Sequence, residues 1–154
     1  MPALAIKPLV VDYSQKVPHL QHLDGDTTNP LFLRPVRRDT IHVDISAIHW
    51  TSIKEARSRW HLNGEFKTGE SGKARGKILL DGHCMEALMQ RPDVLHAMLK
   101  QHPKIHFYGA TIMTHEGYNE YPCLSMGLED PWHIEMIHGS YEPENGTVPY
   151  YQIN

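Results

Sequence analysis

The sequence has little cysteine, no long apolar run and no charge of one sign throughout, and each shortage removes a class of protein. Only two cysteines occur, Cys84 and Cys123. Two thiols do not build the disulfide framework of a small secreted scaffold, and their spacing is not that of a Cys-x-x-Cys site. A reducing, cytoplasmic compartment is the expectation. No apolar stretch approaches the ~18 residues of a membrane-spanning helix, so no membrane association is expected. The opening MPALAIKPLVVDY carries neither a basic n-region nor a long apolar h-region, and two prolines interrupt it, unlike a secretory leader. The isoelectric point near 6.4 argues against a dedicated DNA-binding domain, whose basic footprint usually dominates the chain.

What is present fits one globular domain. The length of 154 residues suffices to bury a core without covalent staples. A hydrophobic fraction of 40% with 21% charged residues lies outside the disordered range. The net charge of −3 conceals a split. Residues 34–77 hold ten Lys/Arg against five Asp/Glu, a net of +5, whereas residues 78–154 hold three against ten, a net of −7. Such a polar molecule suits an electrostatically matched partner.

Local patterns give the elements. Residues 1–38 read as an extended N-terminal arm. It has a short strand in KPLVVDY and then a stretch dense in Pro, Gly, Asp, Asn and Thr. TIHVDISAI alternates, with Ile41, Val43 and Ile45 on one face, as a half-buried strand does. Thr51 or Ser52 caps a helix through SIKEARSRW, with Glu55 near the capping-box position and Ile53, Ala56 and Trp60 on the apolar stripe. Asp81 caps a second helix. Pro92 opens a third, whose buried face is Leu95, Met98 and Leu99 and which Pro103 stops. KIHFYGATIM, EYPCLSMGL and WHIEMIHG read as strands joined by turns, and VPYYQI as a last strand or a C-terminal arm. The expected fold is α+β. Residues 39–154 form a single domain with a mostly antiparallel sheet and two or three short helices on one face.

Three groups of residues bear chemistry. The first is histidine, with twelve in the chain. On a strand, His133 and Glu135 project to one face and His138 to the other. A site on the C-terminal strands therefore needs further ligands, and His106 and His115 are the candidates. A divalent metal is the cofactor such a small enzyme site would take. The run His115-Glu116 does not continue as His-Glu-x-x-His. The second is Cys84, at the start of a helix. There the helix dipole lowers a thiol pKa, and a downstream histidine could act as base for a thiol nucleophile. The third is the segment GEFKTGESGKARGK. Lys67 and Ala74 occupy positions where a P-loop needs Gly and Ser/Thr, so no nucleotide-hydrolase motif results. What the segment offers is a basic loop, residues 64–77, whose Lys67, Lys73, Arg75 and Lys77, with Arg57 and Arg59, can meet phosphates of a nucleic acid or an acidic protein surface. Acidic turns interspersed with tyrosines mark the C-terminal region and suit contact with a basic protein face. The reading these features favour is a small intracellular binding protein that acts through protein–protein contact or self-association. A metal-dependent enzyme using the His/Glu site and a nucleic-acid or phosphate-ligand binder using the basic loop are the alternatives.

Overall fold

The computed structural model describes residues 6–14, 32–34, 40–60, 77–109, 111–113, 119–127, 132–138, 143 and 145–152. Ten strands and three α-helices occur among them. In chain order they are β1 (Leu9–Asp12), β2 (Phe32–Arg34), β3 (Thr40–Val43), a 3₁₀ turn (Ile45–Ala47), β4 (His49–Ser52), α1 (Ile53–Trp60) and β5 (Lys77–Leu79). Then come α2 (Gly82–Met89), α3 (Pro92–Gln101), β6 (Lys104–His106), β7 (Thr111–Met113), β8 (Asn119–Ser125), β9 (His133–His138) and β10 (Thr147–Gln152). The α+β class holds, with a mostly antiparallel sheet. No helix among the described residues is long and apolar enough to cross a membrane.

The helix boundaries follow from local chemistry. Ser52 Oγ accepts the Glu55 N–H at 3.1 Å, and Asp81 Oδ1 accepts the Cys84 N–H at 3.1 Å. Each satisfies an N–H that the first helical turn leaves unpaired. Pro92 stands in the first turn of α3, where it has no amide bond to lose.

The large sheet runs β9–β8–β6–β10–β4 and branches at β6. β6 is antiparallel to β8 but parallel to β10, with Ile105 opposite Thr147. Beyond His106 its two neighbours part. β7 continues along the same edge of β8 and carries β2, while β5 takes over along the same edge of β10. KIHFYGATIM is therefore two short strands, not one. At the branch, Phe107 N–H donates to the Pro122 carbonyl and Gly109 N–H to the Leu80 carbonyl, while Leu80 N–H donates to the Pro149 carbonyl. The VPYYQI segment is an inner strand, bonded to β4 on one side and to β5 and β6 on the other.

Cross-strand register assigns side chains to the two faces. Ile105, Leu124 and Ile134 share a row and pack beneath α2 and α3 with Leu80, Met85, Leu88, Leu95 and Leu99. His106, Cys123 and Glu135 form the adjacent row, on the opposite face. There Tyr108, Tyr121, Cys123, Ile137 and Val148 bury against Ile53 and Ala56 of α1. Two helices, α2 and α3, thus share one face, as expected of two of the three, while α1 covers the other with a core of its own. The N-terminal arm is tied to the domain where it is described. β1 pairs antiparallel with β3, Leu9, Val11 and Tyr13 enter the first core, and β2 pairs with β7.

Gly109 marks the branch. A Cβ there would strike the Leu79 carbonyl, which is backbone and has no rotamer through which to yield. Gly109→Ala is expected to cost about 1–3 kcal/mol, the usual penalty for overpacking a filled interior. Urea unfolding should show a lower midpoint at an unchanged slope, and an unaltered midpoint would contradict this packing.

Candidate functional site

Among the described residues, two polar clusters lie inside the protein and a groove lies open at its surface. The first cluster joins β1 to the start of α2. Tyr13 donates its hydroxyl proton to Asp81 Oδ2 at 2.7 Å, and Cys84 Sγ lies 3.8 Å from the same hydroxyl. Tyrosine has one hydroxyl proton and the carboxylate takes it, so the Cys84 thiol is the donor in the second contact. Tyr13 also stacks obliquely on the His83 ring, at 4.9 Å between centroids. Asp81, His83 and Glu86 are buried with Cys84. Burial, and then the Asp81 carboxylate, push the Cys84 thiol well above its ordinary 9.0. The helix start that sequence reasoning takes as lowering the thiol pKa is present, but burial and the neighbouring carboxylate outweigh it. Tyr13 is likewise pushed up, first by burial and then by the charges of Cys84 and Asp81.

The second cluster surrounds His106, which is fully buried on β6. Its Nε2 lies 2.9 Å from the Asn145 carbonyl and its Nδ1 lies 3.1 Å from the Tyr121 hydroxyl. A carbonyl only accepts, so Nε2 carries the proton, and in the neutral ring Nδ1 accepts from Tyr121. Gly146, next to that carbonyl, has φ of 120°. It is the residue type that tolerates this conformation, and a Cβ there would meet the His106 ring.

The row alongside answers what faces the His133–Glu135 pair. Glu135 stands opposite Cys123, and His133 opposite Ser125, which in turn pairs with Lys104. His133 and Glu135 share an exposed face, as the alternation implies, but their neighbours are a buried thiol, a hydroxyl and an ammonium. His106 stands two strands from Glu135, with both ring nitrogens in hydrogen bonds. Among the described residues no group of three or more His, Cys, Asp or Glu side chains is placed to hold a metal ion. His115 lies outside the described residues, as do Lys67, Lys73 and Arg75. Arg57 and Arg59 are placed only as backbone on α1, and Lys77 only as backbone on β5. Of the tyrosines assigned to an acidic surface, Tyr121 is instead a core residue, and Tyr150 and Tyr151 are half-buried.

The groove is the feature sequence reasoning missed. It encloses about 590 Å³ between α3, Ile6, the 3₁₀ turn and β4. Met98, expected in the buried face of α3, is half-buried and lines the groove with Val94, while Leu95 and Leu99 alone are fully buried. Ile45, Ile48 and Trp50 form the facing wall. At one end Trp50 stacks on His102, with 3.8 Å between centroids and 12° between planes. His102 follows the C-terminus of α3, where the helix dipole favours an imidazolium, yet burial lowers its pKa from the ordinary 6.5. At the other end stands Asp93, exposed in the first turn of α3. The signal was non-local: three chain segments each contribute one wall.

Comparison with known proteins finds no matching family model, no matching curated protein and no matching solved structure.

The raised thiol pKa values have a thermodynamic consequence. Cys123, also fully buried, is pushed up to about 12. Burial dominates and Glu135 adds to it, against the lowering effects of Lys104 and Ser125. A folded-state pKa above the unfolded value means that the folded protein holds the proton longer. The thiols' contribution is therefore complete below their ordinary 9.0, and for Cys123 it is lost as pH rises from there towards about 12. Urea unfolding at pH values on either side of 9.0 should show stability falling on the alkaline side, with a shallower fall in Cys123→Ala. Equal alkaline slopes for the two proteins would contradict the burial of this thiol.

Proposed function

We propose that this protein acts by binding another protein, and that the groove along α3 receives the partner. The observation that carries the reading is the groove's composition and size. About 590 Å³ of concave, mostly aliphatic surface carries a half-buried tryptophan and a half-buried methionine, side chains enriched at the centres of protein interfaces. The reactive groups that can be followed in the structure support it from the other side. Cys84, Cys123 and His106 are no more than 1% exposed, and Cys84 and His106 are bonded to neighbours within the fold. The groove, by contrast, brings described side chains to solvent in a concave surface.

In this reading the basic segment with Lys67, Lys73, Arg75 and Lys77, together with Arg57 and Arg59, supplies long-range attraction to an acidic part of the partner. The groove supplies the desolvated contact. Charges of this kind act mainly on association rate, whereas an apolar anchor in a pocket acts on dissociation. The cytoplasm is the compartment that suits two unpaired thiols.

Ala97 lines the groove and is exposed, outside the buried core. Ala97→Trp should therefore fill the groove and leave the melting temperature unchanged. In quantitative affinity capture, the proteins retained by the wild-type chain should be retained at least about tenfold less by Ala97→Trp, a loss of about 1.4 kcal/mol of binding free energy. Retention of the same proteins in the same amounts by both chains would contradict the proposal.

A further inference from the structure

The groove has a chemical direction, and that direction describes its occupant. Asp93 is the single carboxylate in the lining. It is exposed and has no ion-pair partner among the described residues. At the far end His102 is stacked on Trp50, and burial lowers its pKa, which favours the neutral ring. Between these ends the α3 wall is Val94, Ala97 and Met98, faced by Ile45, Ile48 and Trp50. Several donors of the 3₁₀ turn are bonded within the turn. Ser46 N–H and Oγ both donate to Asp44 Oδ1, and Ile48 N–H donates to the Ile45 carbonyl. Gln101, exposed beside Met98 and His102, adds one neutral polar side chain to the lining. Recognition in the groove therefore falls mainly to apolar contact, with one negative charge at the Asp93 end.

We propose that the occupant is a segment of a partner protein that seats a large apolar side chain over Ala97 and places a lysine or arginine against Asp93. This rests on the reading of the groove as a protein-binding site and specifies its partner. The geometry sets a spacing. Ala97 and Asp93 are separated by one helical turn, about 6 Å along the axis at 1.5 Å per residue. A partner in extended conformation spans about 6.6 Å in two residues, and a helical partner spans about 5.4 Å per turn. The basic residue thus lies two positions from the apolar anchor in an extended segment, or three to four positions from it in a helix. An acidic segment is disfavoured by Asp93, and a wholly apolar one leaves the carboxylate uncompensated at the rim.

Random peptides displayed on phage, selected on the immobilised full chain and counter-selected on Ala97→Trp, provide the probe. Enriched sequences should carry Lys or Arg at one of these spacings from a large apolar residue. Synthetic labelled copies, followed by fluorescence anisotropy, should bind Asp93→Asn about two- to fivefold more weakly, as expected for an exposed ion pair. They should bind Asp93→Lys about tenfold more weakly, and copies in which the basic residue is replaced by Glu should recover affinity for Asp93→Lys. Enriched peptides lacking a basic residue, or affinities that ignore Asp93 while vanishing with Ala97→Trp, would overturn the proposed partner chemistry and leave the groove as a binding site. No enrichment over Ala97→Trp would overturn the groove reading, and this inference with it.

Discussion

The branch at β6 is the constraint on which the other features depend. A strand of three residues, Lys104–His106, holds β8 on one side and β10 on the other, and the chain must then leave the gap as its neighbours separate. It does so through Phe107, Tyr108 and Gly109. Phe107 and Tyr108 enter opposite cores, and Gly109 passes against the Leu79 carbonyl, where a side chain has no room. Both faces of the sheet are therefore closed at this point. With α2 and α3 over one and α1 over the other, Ile105 and His106 of β6 and Tyr121 to Leu124 of β8 are interior.

That two-sided burial decides what the polar residues do. His106 and Cys123 stand in one cross-strand row on the α1 face, while Asp81 and Cys84 lie at the edge of the other core, under Tyr13. Away from water, each polar group needs a partner. The partners come from the fold itself: Tyr121 and the Asn145 carbonyl for His106, and Tyr13 for Asp81 and Cys84. The open chemistry is left at the margin of the α2–α3 face, where Ile6, the 3₁₀ turn and Trp50 do not close fully on α3.

Features whose cause is local were legible in the sequence. Ser52, Asp81 and Pro92 mark helix starts because a cap or a proline acts within a few residues. The alternation of Ile41, His42 and Val43 was legible because His42 is exposed and its neighbours are half-buried and buried. His106 was not legible in the same way. Alternation along KIHFYGATIM turns it away from Ile105 and Phe107, which is correct, but the pattern carries no sign that a second core lies on that side. Register is equally non-local, so the pairing of Glu135 with Cys123 and of His133 with Ser125 could not be read from the strands singly. VPYYQI read either as a last strand or as a C-terminal arm, because its partners on both sides are distant in the chain. Proline is uncommon in an interior strand, yet the Pro149 carbonyl is used at the branch, by Leu80.

The two cysteines lie in closed cores on opposite faces of one sheet, which leaves the surface groove as the proposed place of binding. Thiol labelling under native conditions tests that burial most directly. The full chain is exposed to a thiol-reactive probe at increasing urea, and modification at Cys84 and Cys123 is followed separately by mass spectrometry. The structure predicts that both thiols are modified only through unfolding, at rates that track the falling stability and converge near the unfolding midpoint. Modification of either thiol without denaturant, at the rate of an exposed cysteine, would contradict the account.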